Sequence, residues 1–156
     1  GEDAVASFPR ARFVAQRQEW EDAVANRSHM RVTYRPENLA PLERSGRLQL
    51  IDGDAEVAPG VSVRVTGGHT RGHHCVFVRS RGETLLFPAD ICPTVAHLRG
   101  PWNMAYDMEP YVTMQAKGPL LRQAAAEGWV VAFDHEPVQK MVRLRSEDGQ
   151  LAAEAL

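Results

Sequence analysis

The sequence predicts an α+β fold, and three observations carry the prediction. Short runs rich in β-branched and apolar residues recur between turn signals such as Asp52-Gly53, Pro59-Gly60, Arg81-Gly82 and Asp148-Gly149. Stretches of good helix formers separate some of these runs. Three chemically apt side chains, His69, Asp90 and His135, each follow closely on a strand-like run.

Taken in order, residues 12–16 read as a short strand. Residues 18–25 read as a helix with Trp20, Ala23 and Val24 on one side. Residues 26–34 give no clear pattern, and His29 within them reads as a surface residue. Residues 36–43 suit a loop with one helical turn, ended by Gly46. Residues 47–51 alternate as a strand should, and residues 61–66 form another after the Pro59-Gly60 turn. Residues 74–79 and 83–87 then read as a hairpin about Arg81-Gly82.

Residues 91–110 contain Pro93, Gly100-Pro101 and Pro110 and predict a long irregular wall beside a site. Asp107 to Pro110 suits a helix start, with Asp107 as the cap. Met114, Leu121, Ala124 and Ala125 recur at helical spacing, Gly118-Pro119 is expected to kink or split that helix, and Gly128 to end it. Residues 129–133 are continuously apolar, as in a strand buried on both faces. Residues 140–145 and 150–153 close the chain as a hairpin across Asp148-Gly149.

A chain of 156 residues suits a single domain, and 44% hydrophobic content supports a real core. A net charge of −2 gives no electrostatic case for nucleic acid or an anionic membrane. Apolar runs are far shorter than the ~20 residues of a membrane span. Cys75 and Cys92 lack C-x-x-C spacing. Cys75 reads as a small buried residue, Cys92 as a candidate lining residue, and a reducing cytoplasm is the expected compartment.

The loop after residues 61–66 reads Gly68-His69-Thr70-Arg71-Gly72-His73. Glycines there let the chain turn sharply and leave space beside an imidazole. An imidazole at a strand end is a common way to present a metal ligand. Taken singly, His69 could instead be a loop histidine bonded to backbone, Asp90 a turn residue, and His135 half of a surface pair with Asp134.

In this order and setting the residues resemble the metallo-β-lactamase-fold hydrolases, whose third metal motif reads roughly G-H-T-x-G-H. Asp90 and His135 fit that family's later Asp and His, and the resemblance runs from about residue 8 to residue 137. It implies a partial αβ/βα sandwich, mostly its C-terminal half, as one domain over residues 1–156. The family's H-x-H-x-D-H motif does not occur in these residues. The expectation is therefore an N-terminally incomplete chain that lacks the first strands and first metal motif, binds metal weakly and hydrolyses little by itself.

The resemblance further implies a zinc-dependent hydrolase, with two ions in the complete protein and iron or manganese as alternatives. Metal-activated water would attack a small ester, a lactone or a related substrate. His69 would ligate the first ion and His135 the second, with Asp90 bridging as ligand and catalytic residue. Thr70, His73, Cys92, His97 and Tyr106 are the supporting or substrate-lining candidates, and His74 reads as structural. A mononuclear-iron persulfide-oxidising relative is a further enzyme alternative. The competing reading is a non-catalytic fold remnant serving as an interaction or dimerisation module, and a homodimer is the one macromolecular partner considered.

Overall fold

The computed structural model describes residue 5 and residues 7–25 and 33–156. The expectations for His29 and for residues 26–32 lie outside the described residues. The chain divides into two compact units after Gly53.

In the first unit, β1 (Phe13–Gln16) pairs in parallel with β2 (Leu48–Ile51). Parallel neighbours need a crossover, and α1 (Arg17–Val24) and α2 (Pro36–Arg44) lie within it. The Gln16 amide clamps the end of β2. Its Nε2 donates to the Gly53 carbonyl at 2.8 Å, and its Oε1 accepts from the Gly53 N–H at 3.0 Å. Two expectations change here. Residues 36–44 form a full helix rather than a loop with one turn, started by Pro36, whose missing N–H is no loss at a helix start. Val24, expected on the packed side of α1, is exposed, while Asp22 and Ala23 are buried.

The second unit is a seven-stranded sheet in chain order: β3 (Ala55–Ala58), β4 (Val61–Val65), β5 (His74–Ser80), β6 (Glu83–Phe87), β7 (Val130–Ala132), β8 (Met141–Glu147) and β9 (Gln150–Ala155). The hairpin turns at Arg81-Gly82 and Asp148-Gly149 have both central residues at positive φ, the twist that two-residue hairpins prefer. Among the described strands of this sheet only β6 and β7 pair in parallel, and α3 (Pro110–Ala126) lies in their crossover. This topology positions the site. Since β4 and β6 are both antiparallel to β5, and β6 is parallel to β7, the C-terminal ends of β4, β6 and β7 share one edge.

One face of the sheet carries Phe77, Leu86, Val131, Val142 and Leu144, buried with Leu120, Leu121 and Ala124 of α3 and with Trp129. Burying side chains of this size is worth about 1.5–3 kcal/mol each. The opposite face, traced through the register, carries Val65, Val78 and Met141, which remain 37%, 40% and 51% exposed.

α3 runs unbroken through Pro119, against the expected split. The clash a proline imposes on the residue before it falls partly on that residue's Cβ, and Gly118 has none. Burial of Leu120, Leu121 and Ala124 beyond the proline holds the continuation against the sheet. Gly128, at φ +68°, then ends the helix. Its N–H bonds to Ala125 O at 3.4 Å and that of Trp129 to Ala124 O at 2.9 Å, the paired bonds of a glycine-terminated helix.

Candidate metal centre

Three strand ends deliver the three candidate ligands. β4 leads into the loop of residues 66–73, where Gly67 and Gly68 hold φ of +62° and +90°. Gly68 is required twice over. A Cβ there would stand 2.6 Å from Thr113 N and 2.7 Å from its Cα, so the loop lies directly against the first turn of α3. β6 leads through Pro88 into a single 3-10 turn, Ala89–Ile91, which carries Asp90. Ala89 sits at φ +47°, a conformation that costs a non-glycine residue of order 1 kcal/mol and is over-represented at functional sites. β7 leads into Asp134 and His135, and His135 N–H donates to Pro93 O at 3.1 Å, fixing it beside the segment after Asp90.

These placements bring His69, Asp90 and His135 together. His69 Nε2 lies 3.7 Å from Asp90 Oδ2, and His135 Nε2 lies 3.2 Å from Asp90 Oδ1. The side chain of His69 is 7% exposed, that of Asp90 31% and that of His135 59%, so the cluster opens to solvent on the His135 side.

Two acidic residues join them that the sequence reading did not place at the site. Asp134 Oδ2 lies 3.5 Å from His135 Nε2. Burial, then the charge of Asp90, pushes the Asp134 carboxyl above the usual range. Asp107, expected as a helix cap, turns away from α3, whose N-cap is Glu109 without a side-chain bond. Its Oδ1 instead meets His69 Nδ1 at 2.9 Å.

The remaining candidates divide. His73 is buried, and its Nδ1 shares a hydrogen with Thr66 Oγ1 at 2.5 Å across the neck of the loop. Burial, with the neighbouring His69 and His74, lowers its pKa to about 3. Thr70 is buried, and its carbonyl accepts from His73 N–H at 3.3 Å. Tyr106 is exposed and sets its ring edge-on to His69, with centroids 5.9 Å apart. His97 is half-buried, its Nδ1 is paired with Thr94 Oγ1 at 2.8 Å, and burial lowers its pKa. Cys92 does not line an opening. It is fully buried among the core residues, with Sγ directed at Thr94 O, and burial raises its thiol to about 12. His74, at the start of β5, is half-buried and held below its ordinary pKa by burial.

The donor set fits divalent cations. Both imidazoles turn Nε2 toward one carboxylate, which has an oxygen for each. Asp90, Asp134 and His135 also bring one ligand atom each within 4.8 Å of one another. Borderline-soft ions such as zinc accept this mixture of imidazole nitrogen and carboxylate oxygen.

A probable metal-dependent hydrolase from Staphylococcus aureus is 27% identical, with a TM-score of 0.86 over 97% of this chain and 54% of its own. The dizinc quorum-quenching lactonase AidC, solved with the product N-hexanoyl-L-homoserine, superposes with a TM-score of 0.75 at 17% identity, over 96% of this chain and 56% of its own. An N-acyl homoserine lactone hydrolase with product bound at its catalytic metal centre is 25% identical, with a TM-score of 0.66 over 85% of this chain and 50% of its own. The chain thus spans about half the length of these structures. No curated protein matches it in sequence. The sequence profile of the metallo-beta-lactamase superfamily matches residues 4–135, and this chain belongs to that superfamily.

Proposed function

We propose that this chain supplies the G-H-T-x-G-H, Asp and late His ligands of a dizinc hydrolase acting on small esters, with lactones as the favoured class. The carrying observation is Asp90, whose two oxygens face the Nε2 atoms of His69 and His135. A carboxylate so placed would offer one oxygen to each of two ions. Zinc, when bound, supplies Lewis acidity and a water acidic enough to be a nucleophile near neutral pH.

The chain's own residues do the rest. His69 and His135 each turn Nε2 to a different oxygen of Asp90, and Asp134 sets a second carboxyl beside His135. The exposed Tyr106, whose ring stands edge-on to His69, would donate its phenol hydrogen to a substrate oxygen near that residue. The lactone preference draws on the similarity to the two lactone hydrolases above. Within these 156 residues the donors are shared between two ion positions, so metal binding is weak and turnover slow.

The test is hydrolysis by the chain in excess zinc, against a γ-lactone, an aryl ester, a phosphotriester and a β-lactam. Lactone opening that falls at least ~10-fold in Asp90→Asn and is abolished by chelation is the expected result. Activity indifferent to both overturns the proposal. A second reading, an interaction module, is favoured by one observation, the apolar sheet face exposing Val65, Val78 and Met141. A chain that binds no zinc, hydrolyses nothing and self-associates through that face supports it instead.

A further inference from the structure

We infer that Asp107 is the positioning residue of this centre: its buried carboxylate fixes His69 as the Nδ1–H tautomer and aims Nε2 at Asp90. The role in metal binding rests on the reading above; the choice of tautomer does not. Asp107 lies 38 residues after His69, yet its Oδ1 is 2.9 Å from His69 Nδ1 and its side chain is 1% exposed. A carboxyl oxygen accepts and a ring N–H donates, so this contact assigns the hydrogen to Nδ1. The other oxygen, Oδ2, is buried and has no hydrogen-bond partner among the described residues. The carboxylate is therefore spent largely on one N–H, in surroundings where a hydrogen bond to a charged group is strong.

The backbone fixes this pairing independently of the side chains. Met108 N–H donates to His69 O at 3.1 Å, and Glu109 N–H donates to Gly68 O at 2.8 Å. These two bonds lock residues 107–109 to the histidine loop and present Asp107 to Nδ1. The rings of Tyr106 and His73 stand edge-on to His69 with centroids at 5.9 and 6.0 Å and pack against the imidazole. With Nδ1 occupied, Nε2 keeps its lone pair, and the adjacent negative charge makes it a stronger ligand. Partners of this kind typically change metal affinity 10–100-fold when removed.

Long-range 1H–15N correlation NMR on the metal-free chain, at a pH where imidazoles are neutral, reads the tautomer directly. The parent should show His69 protonated at Nδ1. Asp107→Asn keeps the bulk but can also offer an N–H to Nδ1, so the fraction protonated at Nδ1 should fall. Asp107→Leu should move the hydrogen to Nε2 in a large fraction of molecules and weaken zinc binding about 10–100-fold in a chelator competition. His69 protonated at Nε2 in the parent overturns the inference, and if Asp107→Leu fails to fold the parent spectrum decides alone. A tautomer that shifts while zinc affinity stays constant overturns the role in metal binding. A parent that binds no zinc is a failure of the proposed function, and the tautomer measurement still decides this inference.

Discussion

Asp90 presents one oxygen to each of two histidines: Oδ2 lies 3.7 Å from His69 Nε2 and Oδ1 lies 3.2 Å from His135 Nε2. An amide in its place keeps one oxygen and loses the charge. Asp90→Asn should therefore weaken zinc binding at least ~10-fold while leaving the fold intact. Isothermal titration with zinc and a thermal melt check the two halves. Equal affinity in both proteins would remove Asp90 from the centre.

Gly68 should tolerate no side chain. At φ +90° and with Thr113 N at 2.6 Å from the position of a Cβ, Gly68→Ala forces the loop off the first turn of α3. Strain at such a site costs about 1–3 kcal/mol before any clash is counted. Chemical denaturation should show at least that loss, together with weaker zinc binding because His69 is the next residue. A melt unchanged from the parent would show that the loop does not lie against α3.

Lys117 is 1% exposed, and its ammonium donates to Arg99 O at 3.3 Å, Trp102 O at 2.6 Å and Asn103 Oδ1 at 3.1 Å. It ties the irregular segment after Asp90 to the middle of α3. Burial, above all, lowers its pKa. Lys117→Met keeps the bulk and leaves those acceptors without their donor, which should cost about 1–3 kcal/mol. Hydrogen exchange in residues 99–103 should accelerate selectively. Exchange that is unchanged there would mean the ammonium is not what holds the segment.

His73 predicts acid sensitivity. Its pKa falls from 6.5 to about 3 in the fold because burial, first of all, disfavours the imidazolium. A histidine whose folded pKa is depressed stays neutral in the native state while the unfolded chain takes up the proton. Stability from this group is full above pH ~6.5 and declines as pH falls toward 3, by about 2 kcal/mol at pH 5. Denaturation midpoints from pH 7.5 to 5 should fall accordingly, and His73→Asn should flatten the slope. A parent slope matched by the variant would exclude His73 as its source.

The tips of β4, β6 and β7 were legible because each is a local signal: an apolar run, a turn residue and a ligand-type side chain in sequence. Their convergence follows from the two hairpin reversals between β4 and β6 and the single helical crossover to β7. Asp107 was not legible as a partner of His69. It lies in an irregular segment, and Asp before Pro110 satisfies the pattern of a helix cap equally well. Backbone bonds from Met108 and Glu109, which no local pattern encodes, decide its use. Nothing local marks Asp134 as a site residue, because adjacency to His135 also describes a surface pair. Cys92 misled in the opposite sense, since nearness to Asp90 in sequence says nothing of which way a 3-10 turn directs the next side chain. Pro119 failed as a breaker because Gly118 precedes it and the sheet holds the turns beyond it.

The most direct test of the central claim is anomalous X-ray scattering at the zinc edge from crystals grown with zinc. The account predicts zinc density about 2.0–2.2 Å from His69 Nε2 and one oxygen of Asp90, and from His135 Nε2 and the other. Crystals with no zinc at these three residues, or with zinc held only elsewhere on the chain, would contradict it.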